Sequence, residues 1–338
     1  MTFDEIMQEI TGGLTGDPVK DFRYLQEQME EYRNHELSRE ILRECGRRMY
    51  ELMPDDLKKE LDKNMDRDRK KLNDTLDRIR FHICKKDFQK AKDLTDKLVR
   101  KIESLPMFES DQVSDYYTFH ESFEEMLYRK LIGTEKELRR ASIPYDEIYA
   151  LQGSILIDLK DIKGAQNALA RAFRWNPARA EILYEYAETC KLAGDMETFL
   201  KKTKKALKLS FRPQTVARGF RNLGYYFSEK ELYEEAAACI YLSLPYDSEN
   251  TVAQSELYYI TQKSGQKLTP PTEDFLKSMA EKYGIETGPN PEILNLAYAA
   301  GSYYYTQKQW DAAHYYLDIL YSLTDDEDIR KMLEKIPE

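Results

Sequence analysis

The sequence predicts an all-α protein made of antiparallel helix hairpins, and three observations carry that expectation. Valine is confined to Val19, Val99, Val113, Val216 and Val252, whereas Glu, Lys, Leu, Ala and Arg abound, a balance that favours helices over sheets. The stretch GAQNALARAFRWNP, 164 to 177, sets small side chains at Gly164, Ala165, Ala168 and Ala172 against large ones at Leu169, Phe173 and Trp175, then stops at Asn176-Pro177. Small residues let two helices approach, bulky ones fill the facing grooves, and proline cannot continue a helix. The same arrangement then recurs along the chain. At 338 residues the chain exceeds the usual single core, so either two domains or a repeat array that grows lengthwise is expected.

The first 135 residues carry the weaker signal. TGGLTGDP, 11 to 18, is glycine-rich like a phosphate cradle, but Gly16 is followed by Asp17 rather than the Lys-Ser/Thr of a P-loop. It reads as a turn in which Asp17 caps a helix and Pro18 occupies the first helical position. A degenerate hairpin is expected from Phe22 to Pro54, turning at YRNHELS. DDLKKELDKNMDRDRKKL, 55 to 72, alternates charge signs as a solvated helix face does. In FHICKKDFQKAKDLTDKLV, Phe88 and Ala91 follow a Lys-Asp turn as they would in a repeat, and SDYYTFHESFEEMLYRKLI, 114 to 132, reads as one amphipathic helix leading into the regular part.

From Asp146 to Arg179 the hairpin is plain. Tyr149, Gly153 and Leu156 share one helix face, KDIKG breaks the helix, Ala165, Leu169 and Ala172 mark a second, and Pro177 closes it. The next unit runs from Ala180 to Pro213, with Leu183, Tyr186, Ala187 and Cys190 in its first helix, Gly194-Asp195 at the turn and Ala206 in its second. A third begins near Ala217 with Phe220, Leu223-Gly224, Phe227, Ala236, Ile240 and Ser243, although Pro245 comes early. A last unit from about Leu294 has Ala297, Ala300-Gly301, Tyr304, Trp310, Ala313, Leu317 and Leu320. Between these, 251 to 265 fits a first helix, but Pro270-Pro271 and Pro289 to Pro291 bracket a shorter helix near 272 to 283 with Thr272 as its cap. This irregular unit is expected to be a structural insertion that bends the array, with a hinge as the alternative. TDDEDIRKMLEKIPE turns Ile329, Met332, Leu333 and Ile336 toward the last pair and charges outward, the pattern of a capping helix.

These residues resemble the tetratricopeptide repeat (TPR), a unit of about 34 residues with aromatic, small and proline positions at fixed offsets. The resemblance is clear for about 146 to 325 and degenerate for 20 to 135. It implies helix hairpins stacked as a right-handed superhelix, with an amino-terminal helical region at 1–135, a repeat array at 136–338 and close helix contacts at Gly153, Ala187, Gly224 and Gly301. It also implies recognition on the inner face lined by first helices. Carried over unit by unit, that face holds Ala150, Ser154 and Asp158; Tyr184, Glu188 and Lys191; Arg218, Arg221 and Tyr225; Ser255, Tyr259 and Gln262; and Tyr298, Ser302 and Tyr305. Tyrosine and arginine are common at binding hot spots, so a protein or an extended peptide, one that can be acidic with apolar anchors, is the expected partner, though the same rings can equally pack between helices. The relatives that clamp acidic chaperone tails need lysines and asparagines where this chain has Ala150, Ser154, Glu185, Arg218 and Asn222, and only Arg218 keeps the charge. The peptide-sensing bacterial regulators among the relatives usually carry a DNA-binding or effector module, and residues 1 to 60 do not read as one.

Little points to other chemistry. The net charge is −10 with both signs interleaved, against a general nucleic-acid binder. Cys45, Cys84, Cys190 and Cys239 lie far apart, as reduced, buried cysteines do. His120 and Glu124 sit at i,i+4 but lack a third ligand and read as an exposed polar face, while His82 and Cys84 point to different sides of a helix. No nucleophile has a base beside it, and no cofactor or metal is expected. The acidic start MTFDEIMQEI is unlike a secretory signal and no apolar run approaches a membrane span, so a cytoplasmic setting is expected. Three classes stand: a noncatalytic peptide- or protein-binding scaffold, a sensor whose array changes curvature on binding a peptide, and, with least support, an enzyme.

Overall fold

A computed structural model of the chain describes residues 1–104, 108–266 and 268–337. The chain forms two compact units, one from residues 1–118 and 134–144, the other from residues 119–133 and 145–338.

The first unit opens with three helices, α1 (Phe3–Gly12), α2 (Pro18–Glu31) and α3 (Ser38–Leu52). They enclose a core of Ile6, Met7, Ile10, Leu25, Leu37, Ile41 and Cys45. The glycine-rich loop before α2 is a turn, as its residues imply. Asp17 accepts from the backbone N–H groups of Val19 and Lys20, and the buried Asp21 carboxylate gathers Thr15 N–H at 2.7 Å and Gly16 N–H at 2.9 Å. Helices α4 (Asp55–Cys84) and α5 (Phe88–Glu103) form a hairpin. At their turn Lys86 takes φ 57° and Asp87 caps α5 by accepting from Lys90 N–H.

Two sequence expectations fail in this unit. Residues 114 to 132 are not one helix: Ser114–Tyr117 is a strand, β1, pairing in parallel with β2 (Glu137–Arg140) from Ser114↔Glu137 to Tyr117↔Arg140. Ser114 and Tyr116 are buried while Asp115 and Tyr117 are half-buried, the period of two that a strand requires, hidden in the sequence by the helical pattern that follows it. Arg43 also holds this segment, bonding Ser114 Oγ at 3.0 Å and pairing with Asp111. Cys84, expected inside, is exposed, while the other three cysteines are buried.

The second unit contains α6 (Ser122–Leu131), then α7 (Tyr145–Asp158), α8 (Ile162–Trp175), α9 (Ala180–Leu192), α10 (Met196–Leu209), α11 (Pro213–Glu229), α12 (Tyr233–Ser243), α13 (Thr251–Ser264), α14 (Glu273–Tyr283), α15 (Pro291–Thr306), α16 (Trp310–Thr324) and α17 (Glu327–Glu334). Helices α7/α8, α9/α10, α11/α12 and α15/α16 pack as hairpins, and α8 with α9, α10 with α11 and α12 with α13 join successive rungs.

One rule builds the hairpins. A glycine on the first helix meets the branched side chain that faces it on the second: a Cβ on Gly153 would lie 2.6 Å from Leu169, on Gly224 2.6 Å from Ile240, and on Gly301 2.7 Å from Leu317. Ala187 and Thr203 hold the same offset in the second rung and are both buried. The turns follow a second rule. Lys160, Gly194, Glu231 and Lys308 all take positive φ, closing the first helix in the left-handed region. Asp161 and Asp195 then cap the second helices, accepting from Gly164 N–H at 2.9 Å and Thr198 N–H at 3.0 Å. The fold is therefore a TPR-like array of stacked helix hairpins.

The stack does not continue simply past α13. Tyr241 donates to the Leu268 carbonyl at 3.4 Å, and α14 lies back on earlier rungs: Tyr283 donates to Glu235 at 2.8 Å, its ring meets Phe227 at 4.7 Å, and its carbonyl accepts from Lys204. Asn290, capping α15, donates to the Lys208 carbonyl at the end of α10, 2.8 Å away. Helix α15 then packs on α6, with Lys130 and Glu292 3.7 Å apart. Helix α17 closes on α16 with Ile329 buried.

Candidate binding surface

The first helices of the rungs present the residues that the repeat register singled out, but not as a row of free rings. Tyr184 is fully buried. Its hydroxyl is 3.0 Å from Ser210 Oγ, and burial pushes its ionisation up. It packs the rung rather than lining a groove. Arg218 bridges to Glu185 at 2.8 Å with its guanidinium over the Tyr184 ring. Arg221 pairs with Asp247 at 3.0 Å and is only 15% exposed. Both arginines were expected to line the inner face. Each is neutralised by a carboxylate of a neighbouring element.

What remains is a continuous patch on α9, α11 and α13. Lys191 pairs with Glu188 at 3.6 Å and its ammonium lies 4.2 Å above the Tyr225 ring. Tyr225 is half-buried, its edge against Phe199. Burial, Glu229 and Glu188 push its hydroxyl's ionisation up, and the nearby Tyr259 adds to this. Tyr259 is 50% exposed with Lys263 5.6 Å from its centre, and Gln262 and Ser255 are exposed. Between the arginine and lysine of this patch stands Glu256. Its Oε2 is buried without a hydrogen-bond partner, and burial raises its carboxyl's ionisation despite the pull of Arg221 and Lys191. Nothing in the sequence marked Glu256, because the charges that reach it, Arg221 and Lys191, come from α11 and α9. Ala150 and Ser154 are half-buried and Asp158 is exposed on α7.

Tyr298, Ser302 and Tyr305 do not extend this patch as the next rung. They lie on α15, which packs on α6 after the chain has doubled back. Tyr298 is 53% exposed, Tyr305 rests its ring on Trp310, and Ser302 Oγ is buried without a partner.

A second assembly was invisible in the sequence. Residues 120 to 124, at and before the start of α6, are pinned to the first turn of α7, to two inter-rung segments and to α16. His120 Nε2 is 2.7 Å from Asp146 Oδ2, which also accepts from Arg179 at 2.9 Å. Glu124, expected on an exposed face, is buried and accepts from His120 N–H at 2.7 Å and Asn176 Nδ2 at 3.0 Å. Glu121 accepts from Tyr315 at 2.7 Å and pairs with Arg212, and Tyr316 bonds Ser122 at 3.0 Å. Phe123 is sealed between Phe211 and Tyr316. The hydrogen bond to Asp146 raises the His120 pKa, while burial and Arg179 oppose it. The i,i+4 spacing of His120 and Glu124 was visible in the sequence; their partners, 26 to 59 residues onward, were not.

Fold and surface define a TPR-like helical-hairpin repeat protein. No family model and no curated protein matches the chain. Among solved structures it is similar to the TPR domain of P58(IPK), at 11% identity and a TM-score of 0.31, over 95% of this chain and 83% of that one. So low a score adds nothing to the fold class, which stands on the hairpins themselves. Among the described residues no helix is long and apolar enough to cross a membrane.

Proposed function

We propose that this protein is a noncatalytic scaffold that holds an extended peptide or a partner helix on the face formed by α9, α11 and α13. The observation that carries the reading is the unpartnered Glu256 carboxylate oxygen amid the half-exposed rings of Tyr225 and Tyr259. A buried acceptor without a donor is unfavourable by about 1–3 kcal/mol, and because this oxygen is buried a partner relieves it only by drawing the Glu256 side chain outward onto its own N–H, while the exposed rings supply contact area. With Arg218 and Arg221 already neutralised, the segment bound here need not be acidic. A cytoplasmic setting belongs to the same reading and rests on the four unpaired cysteines.

Arg221 is too buried to serve as a clean probe, since reversing its charge would strand Asp247. Tyr259→Ala and Glu256→Gln are better placed. A partner captured from lysate by the wild-type protein should be lost with Tyr259→Ala, weakened with Glu256→Gln and retained with Lys70→Glu on the exposed part of α4. Retention of every captured protein by all three variants would remove this face as the binding surface. The sensor reading has less support. The segment that the sensor reading needs as a hinge is tied to α10, α11 and α12 at Lys204, Lys208, Phe227, Glu235 and Tyr241, and small-angle scattering with and without the captured partner measures any change in curvature.

A further inference from the structure

The overall charge conceals a local one of opposite sign. Helix α8 contains no acidic residue and α10 contains only Glu197, near its start. In the sequence these helices are separated by the acidic α9 region, so the signs look interleaved. In the fold the second helices of adjacent rungs bring their cations together. Lys205 of α10 lies 4.7 Å above the Phe173 ring of α8, which fixes the two basic surfaces side by side. Lys202 sits 4.0 Å over Tyr186, and Arg171 4.4 Å over Tyr149. Lys201, Lys205 and Lys208 are exposed at i, i+4 and i+7 of one helix face, and among the described residues none has a carboxylate within ion-pair distance.

Such an arrangement is unfavourable by itself. Like charges at i,i+3 and i,i+4 destabilise a helix, and α10 has them at 201/204, 201/205, 202/205, 204/208 and 205/208. The repulsion is visible in the side chains: burial and then the neighbours Lys205 and Lys201 hold the Lys202 pKa down, and burial and Lys208 do the same to Lys204. Lys204 is relieved by the Tyr283 carbonyl; the exposed lysines are not. Because charges beyond about 10 Å are screened at 0.1 M salt, this patch, not the net −10, sets the field a ligand meets at its surface.

We propose that the α8/α10 face is a docking site for an acidic polypeptide segment, distinct from the α9/α11/α13 face. Three features favour a polypeptide over the other polyanions. The rings beneath the cations are already covered by them, leaving no platform on which bases stack. Phe199, Ala206, Leu207 and Leu209 of α10 are buried and Met196 and Leu200 half-buried, so the face lacks the exposed apolar stripe that inserts into lipid. The helix-capping carboxylates Asp161 and Asp195, with Glu197, stand at the amino-terminal ends of α8 and α10. They limit the basic area to the remainder of each helix, about 10 Å from Lys201 to Lys208 at 1.5 Å per residue. A short run of Asp and Glu fits that length; a long phosphate backbone would be carried onto the acidic rim.

The test uses the full chain and a fluorescent, end-blocked decapeptide of alternating Glu and Ser, with anisotropy read at 50 and 200 mM salt. Saturable binding that weakens with salt, falls at least ten-fold in Lys201→Glu/Lys205→Glu and less in Lys201→Gln/Lys205→Gln, and is unmoved by Tyr259→Ala, is the expected result. No saturable binding, or equal affinity in the doubly substituted protein, overturns it. So does tighter binding of a ten-nucleotide thymidine oligomer, which would make the face a nucleic-acid surface, or of phosphatidylserine vesicles, which would make it a membrane surface. Loss of binding with Tyr259→Ala but not with the lysine changes would instead place the peptide on the other face.

Discussion

Hairpins α11–α12 and α15–α16 are built alike and used differently. Each puts a glycine, Gly224 or Gly301, under a branched side chain of its second helix, and each turns through a residue at positive φ, Glu231 or Lys308. Yet α11–α12 sits between α10 and α13 as a rung, while α15–α16 follows a return path and packs on α6. The difference separates two levels of information. How a helix pairs with its sequence neighbour is written in residues a fixed distance apart. Where the finished hairpin docks is decided by side chains scattered over the chain: Asn290 on the end of α10, Tyr315 and Tyr316 on Glu121 and Ser122.

Removing the dock should have the largest effect. Phe123 is fully buried between Phe211 and Tyr316, and truncating such a ring costs about 3–5 kcal/mol. Phe123→Ala should therefore lower stability by that order in chemical denaturation, with amide exchange accelerating in α15–α16 well before α9–α12. Unchanged protection of α15–α16 would show that the hairpin is held by something other than α6. Overpacking the hairpins comes next. Gly224→Leu and Gly301→Leu force a side chain into Ile240 and Leu317, which destabilises by roughly 1–3 kcal/mol. Similar losses at both sites would confirm that the internal rule is the same in the rung and in the returned hairpin; a loss at Gly224 alone would break the comparison.

That contrast also explains what was legible. The hairpins could be read from Gly153, Gly224 and Gly301 and from the Lys-Asp and Gly-Asp turns, because each feature reports on partners within one unit. The groove residues were legible in register but not in state. Tyr184 has the spacing of a lining residue, and only Ser210 and the next rung bury it. Arg218 and Arg221 look like free cations until Glu185 and Asp247 arrive from other elements. The α8/α10 patch was hidden for the opposite reason: charge was judged along the chain, whereas stacking brings every second helix onto a common face.

The turns give a smaller and more local comparison. Lys160 and Lys308 hold φ 64° and 57°, a conformation that is unfavourable by about 1–2 kcal/mol for a residue with a Cβ. Glycine removes that penalty, but its looser unfolded chain takes back about 0.5–1 kcal/mol. Lys160→Gly and Lys308→Gly should each raise stability by about 0.5–1 kcal/mol, equally in the two hairpins, by shift of the urea midpoint. Unequal gains would mean that docking strains one turn.

The gentlest probe is pH, because the His120 side chain is 37% exposed and solvent screens its pair with Asp146. Asp146 and Arg179 face the His120 ring, Glu124 bonds its backbone, and Asp146 holds the imidazolium strongly enough to raise its pKa above the ordinary 6.5. A raised pKa means that the folded state binds the proton more tightly than the unfolded one. The contribution is therefore complete below pH 6.5 and is lost as pH climbs through the folded value. Burial raises the Glu124 pKa above 4.5 as well, with Asn176, His120 and Arg179 opposing, so its charged form is disfavoured and that term too declines with rising pH, in a lower window. Both groups act on α6, so its dock should loosen toward alkaline pH while the rungs do not. Exchange rates, corrected for intrinsic chemistry, should show α15–α16 losing protection between pH 6 and 8.5 relative to α9–α12, and His120→Gln should flatten that difference. If α15–α16 and α9–α12 respond to pH in parallel, with or without His120, the clamp does not tell the returned hairpin from the rungs.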